Sequence, residues 1–298
     1  MLDVATCCKE YRVGAFGNRT FLAVRDVSFD VRPGEVVSLI GESGSGKSTI
    51  GKMILRLLRV TRGTIVFDGI DISTLSGRGL KAYYADVQGV FQDPFSSYNP
   101  IFKADRVFTM LRSEYFSGLS TREWHAKLTR SLDEVNLNGG DVLGKYPHQL
   151  SGGQLQRMLI ARALMLDIRL LVADEIISML DASTRIDVLN LLGDLKSRGL
   201  GILFITHDLS LGNYISDKSM ILRGGKVVEM GATELVFGNP AHPYTKTLLA
   251  SVPQLHTKWK DLGVATGNGN GSAADLDTRV ELVEIEANHF AALDGKDA

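Results

Sequence analysis

An eight-residue stretch, Gly41-Glu42-Ser43-Gly44-Ser45-Gly46-Lys47-Ser48, constrains this chain more than any other. It fits G-x-x-x-x-G-K-[ST], a phosphate-binding loop that belongs between a strand and a helix. Both neighbours are legible. Val36-Val37-Ser38-Leu39-Ile40 reads as a buried strand, and Ile50, Met53, Ile54, Leu57 and Leu58 recur at helical spacing. The glycines let the backbone curl until successive N–H groups face phosphate oxygens, and the helix start adds roughly half a unit of positive charge. In such a loop Lys47 reaches the outer phosphates and the Ser48 hydroxyl binds Mg2+. Strand, loop and helix in this order predict binding of a nucleoside triphosphate.

With 298 residues the chain can bury a substantial core, in one large or two modest domains. Its 33 basic and 34 acidic residues lack the excess expected of a chain that grips nucleic acid mainly by charge. The two cysteines, Cys7 and Cys8, are adjacent, which leaves no disulfide framework and no four-ligand metal or iron–sulfur set. Beside a nucleotide loop, this predicts a reducing cytosol. No apolar run approaches the roughly 18 residues of a membrane span, and Met1-Leu2-Asp3-Val4 does not read as a signal peptide. The expectation is a soluble, intracellular protein.

Up to residue 35 the chain reads as short strands and turns, with 27–31 alternating and Pro33-Gly34 turning into the loop's strand. Tyr11, Phe16 and Phe21 fall here, and each offers a ring for stacking on a purine or for packing in a strand. Residues 63–69 form another short strand closed by a turn. The character changes over 94–160. Ser120 and Glu123 make a capping box, and Trp124, Leu128, Leu132 and Val135 share a helical face, which predicts a mainly helical subdomain inserted in an α/β core.

From residue 170 strands and helices alternate. Leu170-Leu171-Val172-Ala173 and Ile202-Leu203-Phe204-Ile205 are apolar strands flanking a helix over 183–198, with Ile186, Leu189, Leu192 and Leu195 turned inward. Continuous apolar strands of this kind predict a mainly parallel sheet covered on both faces. Residues 219–222 and 227–230 read as a hairpin across Gly224-Gly225. Past about 255 the pattern fades into a flexible linker near 263–274, and only 279–286 looks strand-like.

Four further features carry chemistry. The strand at 170–173 ends in Asp174-Glu175, where one carboxylate can hold Mg2+ and the other can polarise an attacking water. Leu150-Ser151-Gly152-Gly153-Gln154 opens a helix with a capping serine and two exposed glycine N–H groups, either a second anion site or a plain helix start. Gln92 sits where the core meets the helical insert. His207 ends the strand 202–205, where a histidine is structural in many folds but where ligands gather in a parallel sheet.

In this order the P-loop, Gln92, the Leu-Ser-Gly-Gly-Gln signature, Asp174-Glu175 and His207 resemble the ATP-binding-cassette (ABC) ATPases over roughly residues 1–255. The resemblance implies an α/β P-loop NTPase core with a mainly parallel sheet, an N-terminal antiparallel β subdomain and an inserted helical subdomain. It implies ATP on Gly41, Glu42, Ser43, Gly44, Ser45, Gly46, Lys47, Ser48 and Thr49, with adenine on Tyr11 and Mg2+ at Ser48, Gln92 and Asp174. Glu175 would be the general base, and Gln92 and His207 would sense the γ-phosphate. Ser151, Gly152, Gly153 and Gln154, with Asp181 of the D-loop, would complete the site of a second cassette. One departure stands out. The family's usual Pro-Thr-Ser-Ala-Leu-Asp is Ile176-Ile177-Ser178-Met179-Leu180-Asp181 here, which puts communication across such a dimer in question.

Asn239-Pro240-Ala241-His242-Pro243-Tyr244-Thr245 with Leu248-Leu249 resembles the C-terminal extension of the oligopeptide, dipeptide and nickel importer ATPases. Phe95-Ser96-Ser97-Tyr98-Asn99-Pro100 and Tyr146-Pro147-His148 fit the same group, though the C-terminal cysteine cluster of some relatives is missing. The expected layout is an ATPase domain over 1–235 and an extension over 236–298. The implied partners are two integral-membrane permease subunits, a second and paralogous ABC ATPase and, indirectly, an extracytoplasmic solute-binding protein, with no nucleic acid. The implied place is the cytoplasmic face of the membrane. A non-transport relative acting on DNA or ribosomes is the alternative. The long coiled coil of its chromosome-type members has no counterpart between Gln92 and Ser151, and only one cassette is present. A regulatory module without turnover is a third reading, against which Glu175 and His207 stand.

Overall fold

The computed structural model describes residues 1–13, 19–251 and 282–292; Phe16 and the linker expected near 263–274 lie outside these. The chain opens with β1 (Leu2–Val13), β2 (Arg19–Val31), β3 (Val36–Ile40) and the helix α1 (Lys47–Ile54). Then come β4 (Arg62–Phe67), β5 (Ile70–Asp71), α2 (Gly77–Asp86) and β6 (Val87–Val90). Helices α3 (Arg106–Tyr115), α4 (Thr121–Glu134) and α5 (Gly139–Val142) form the insert, and α6 (Gly152–Leu164) returns to β7 (Leu170–Asp174). They are followed by α7 (Ala182–Ser197), β8 (Gly201–Thr206), α8 (Leu209–Ile215), β9 (Lys218–Arg223) and β10 (Lys226–Ala232). The last elements are α9 (Thr233–Gly238), α10 (Pro243–Ala250), β11 (Leu282–Glu286) and β12 (His289–Ala292).

Two sheets organise these elements: an antiparallel one in the order β2-β1-β4-β5, and a mixed one in the order β11-β12-β10-β9-β3-β8-β7-β6. The run β9-β3-β8-β7-β6 is parallel. Within it β3, β7 and β8 are buried along their whole length, because both faces are covered, and so their sequences are unbroken apolar runs. Alternate residues serve opposite faces. Val37, Leu39, Val172 and Leu203 pack on α1 and the antiparallel sheet. Leu171, Ala173, Ile202 and Phe204 pack on α6, α7 and the helical insert. The predicted capping box closes the start of α4: Glu123 N donates to Ser120 Oγ at 3.3 Å, and Ser120 N donates to Glu123 Oε2 at 2.9 Å.

Several local expectations are corrected. The first 31 residues hold two long strands rather than several short ones. Leu57 and Leu58 fall outside α1, which stops at Ile54 as Arg56 takes a φ of 54°, and Leu57 is exposed. On α7 the buried stripe is Val188, Leu189, Leu191, Leu192 and Leu195, and Ile186 falls off its edge at 47% exposure. The described part of the strand-like stretch at 279–286 agrees with expectation: β11 (Leu282–Glu286) forms a hairpin with β12, and β12 pairs antiparallel with β10.

Candidate functional site

The loop at 41–48 leaves the end of β3 and is fitted tightly at its back. Gly46 takes a φ of 105°, and a Cβ there would lie 2.5 Å from Ala23 O of β2, so only glycine fits. Gly225 N, in the β9–β10 turn, donates to Ser45 O at 3.0 Å. Lys47 is 4% exposed and folds over the loop, its Nζ donating to Gly41 O at 2.6 Å and Glu42 O at 2.9 Å. Burial lowers its pKa, against the pull of Glu175, Asp174 and Glu42. Among the described residues the buried Ser45 hydroxyl has no hydrogen-bond partner. A fixed cation, an unsatisfied hydroxyl and a glycine-rich loop before a helix suit a bound polyphosphate.

Ser48, in the first turn of α1 with Thr49, donates from Oγ to Asp174 Oδ1 at 3.1 Å, which joins the ends of β3 and β7. Both are hard oxygen donors of the kind Mg2+ takes. Burial raises the Asp174 pKa despite the Ser48 hydrogen bond, a penalty that a cation would relieve. Among the described residues no three His, Cys, Asp or Glu side chains could hold a metal together. A cation here would therefore draw most of its ligands from phosphate and water, as Mg2+ does.

Glu175 takes a φ of 51°, a left-handed conformation that costs a residue with a Cβ about 1–2 kcal/mol. Its N–H donates to Ile205 O at 2.9 Å, which locks it to the end of β8. The turn brings Glu175 Oε1 to 3.2 Å from His207 Nδ1. Gln92, just past β6, completes the set. A cavity of about 570 Å³ is lined by Glu42, Ser43, Ser48, Gln92, Glu175 and His207. These residues come from the C-terminal ends of β3, β6, β7 and β8, where ligands bind in open parallel sheets.

The signature lies elsewhere. Ser151 caps α6, with Gln154 N donating to its Oγ at 3.2 Å and Ser151 N donating to Gln154 Oε1 at 2.9 Å. Gly152 faces Phe95, and a Cβ on Gly153 would meet Thr184 Cγ2 at 2.8 Å. Asp181 caps α7 and accepts from Ser183 Oγ at 2.6 Å, Thr184 N at 3.1 Å and Thr184 Oγ1 at 2.7 Å. These donors hold its carboxyl well below the usual range. Signature and Asp181 thus meet at Thr184, and none of residues 151–154 or 181 lines the cavity that holds the P-loop. Tyr11 is opposite Phe21 on β2, with the Lys9 ammonium 5.2 Å from its ring centre, one strand away from the Ala23 contact with Gly46.

Arg185 was not marked by any motif. Its Nε donates to Leu180 O at 2.8 Å and its Nη2 to Ser178 O at 3.2 Å, so it clasps the D-loop from the first turn of α7. Its one sequence signal is a basic residue just after Asp181. The departures at 176 and 177 are core residues, 1% and 2% exposed, whereas Met179 is 59% exposed. Leu248 of α10 also lines the P-loop cavity.

Such a fold, with a phosphate cradle and an acidic pair at strand ends, defines a P-loop nucleoside triphosphatase. Residues 24–178 match the ABC transporter family, and residues 228–278 match the C-terminal region of oligopeptide/dipeptide transporters. A protein described as a peptide import ATP-binding protein in Brucella ovis is 41% identical over 255 residues, covering 85% of this chain and 78% of that one. The oligopeptide transport ATP-binding protein OppF of Streptococcus mutans is 43% identical, over 78% of this chain and 75% of its own. Among solved structures, a dimeric ATP-binding cassette in a post-hydrolysis state with ADP and Pi superposes with a TM-score of 0.70 at 29% identity, covering 78% of this chain and 99% of that one. The chain belongs to the ABC transporter family. It is an ATP-binding, ATP-hydrolysing cassette.

Proposed function

We propose that this chain is the energy-coupling ATPase subunit of an importer for peptides or a related solute, working as one half of a head-to-tail cassette pair. The observation that carries the pairing is the separation, within one chain, of the P-loop cavity from the start of the signature helix. Ser48, Gln92, Glu175 and His207 line one cavity, with Lys47 bonded to its wall at Gly41 and Glu42 and Asp174 to Ser48, while Ser151–Gln154 and Asp181 gather round Thr184 outside it. In a head-to-tail pair the signature of one cassette covers the P-loop of the other.

In this reading Lys47 and the N–H groups of residues 41–49 hold the triphosphate, and Tyr11 stacks on adenine. Ser48, Asp174 and Gln92 hold Mg2+, which when bound neutralises charge on the phosphate oxygens. Glu175 accepts the proton of the attacking water. His207 holds the Glu175 carboxylate in place and donates towards the γ-phosphate. A hydrogen bond to a charged group contributes about 1.5–3 kcal/mol, so His207→Ala should lower kcat about tenfold or more and weaken ATP binding by a smaller factor. Steady-state hydrolysis with equilibrium nucleotide binding measures both. An unaltered kcat would remove His207 from the chemistry.

Among the described residues no helix is long and apolar enough to cross a membrane. We place the solute path in two permease subunits and this chain on their cytoplasmic face. The insert offers them a groove of about 550 Å³ lined by Ile101, Phe102, Arg106, Met110 and Tyr146, with Ile101 76% and Met110 59% exposed. Exposed apolar side chains beside a groove mark a docking surface, and this one begins nine residues past Gln92. Residues 236–298 form the extension of the importer group, the second ATPase is a paralogue, and a solute-binding protein acts outside. Purification of the tagged chain from its native cells in mild detergent should recover two multi-span proteins and a second cassette. Recovery with ribosomes or DNA and no membrane protein would favour a non-transport role instead.

A further inference from the structure

The C-terminal hairpin reaches the nucleotide cavity through a buried carboxylate. Pairing of β12 with β10 sets His289 opposite Gly231 and Ala291 opposite Glu229. His289 and Glu229 are both fully buried, with Nε2 and Oε1 2.8 Å apart, and His289 Nδ1 lies 3.0 Å from Glu286 Oε1. Glu229 has further work. Its Oε1 accepts from Ala241 N at 2.8 Å and its Oε2 from His242 N at 3.0 Å. These residues lead into α10, where Tyr244 N donates to His242 Nδ1 at 3.0 Å. A buried carboxylate is tolerated only when its oxygens are satisfied, and here the hairpin supplies one of three partners.

Beyond that junction α10 touches the P-loop wall. Tyr244 packs in one apolar cluster with Ile40, the residue before Gly41, and with Ile221 and Val228. The Arg223 guanidinium lies 4.9 Å from its ring centre. The Tyr244 hydroxyl is buried beside Glu42 without a well-formed hydrogen bond, and burial followed by the Glu42 charge raises its pKa. One turn on, Leu248 walls the cavity with Glu42 and Ser43. Glu42 is a carboxylate inside a phosphate-binding loop, where its charge opposes a triphosphate unless it is turned aside.

We infer that Glu229 is a positioning residue for nucleotide binding: shared between His289 of the C-terminal hairpin and the backbone leading into α10, it seats Tyr244 and Leu248 against Ile40 and Glu42. The inference rests on the reading of residues 41–48 as the ATP site. Glu175, Gln92 and His207 stand on other strands, so loosening α10 weakens binding and spares the chemical step.

The test is a titration of the full chain with a fluorescent non-hydrolysable ATP analogue and Mg2+, together with KM and kcat for ATP. His289→Ala and Glu229→Gln should each raise Kd and KM by about three- to tenfold with kcat unchanged, the size of effect expected of an indirect contact. His289→Gln, which keeps one donor towards Glu229, should restore part of the loss. Glu229→Gln keeps the side chain's size while replacing one oxygen that accepts from Ala241 N or His242 N, and it keeps the test open should His289→Ala fail to fold. Unchanged Kd in both variants, or equal losses in kcat and KM, would overturn the inference alone. A wild-type chain that does not bind the analogue would remove the ATP-site reading and the inference with it.

Discussion

Glu175→Gln should lower kcat for ATP hydrolysis by about 10²–10⁴-fold, the usual contribution of a general base, while ATP still binds. The amide matches the carboxylate in size, and Glu175 N–H would still donate to Ile205 O, so the left-handed turn at 175 persists. The change removes proton acceptance and little else. Because nucleotide favours the closed pair, slow hydrolysis should also leave an ATP-held dimer that elutes ahead of the wild-type protein on gel filtration. Single-turnover hydrolysis is the decisive measurement. A near-wild-type rate would move the base to another titratable group that lines the cavity, His207 or Glu42.

Lys47→Ala should weaken ATP binding by about a hundredfold, as expected from losing two charge-assisted hydrogen bonds of about 1.5 kcal/mol each. Its present acceptors are Gly41 O and Glu42 O at the cavity wall, where water can replace the ammonium. The melting temperature without nucleotide should therefore move little. The rise in melting temperature on adding ATP, which follows from binding to the native state alone, should disappear. If that rise survives, Lys47 does not carry the phosphate contact.

Most of the nucleotide cavity was legible because its residues sit at strand ends whose strands are themselves legible. Apolar runs place β3, β7 and β8, and each places a loop, an acidic pair or a histidine at the same edge of one sheet. Periodicity served less well at element boundaries. Leu57 and Leu58 continue the pattern of α1, but Arg56 takes a positive φ and the helix has already stopped. Ile186 has the right spacing, yet it lies at the edge of the buried stripe of α7 and stays 47% exposed. The C-terminal hairpin was the hardest to foresee. Its register depends on Glu229, far back in the chain, and no local pattern reports that His289 has a buried partner there. Arg185 escaped for the same reason, since backbone carbonyls leave no trace in the sequence.

The order of strands in the mixed sheet also bears on when the protein becomes competent during synthesis. The phosphate loop is made early, but the strand that carries it is held between two that are made late: Val36 pairs with Ile202 of β8, and Val37 with Lys218 of β9. Until the ribosome has passed these residues, β3 is an apolar segment with two open edges and no fixed place for Lys47 or Ser48. Contacts so far apart in sequence make for slow, chaperone-exposed folding. A nascent chain would therefore gain its grip on nucleotide in one late step, when the last third of the molecule closes around the first.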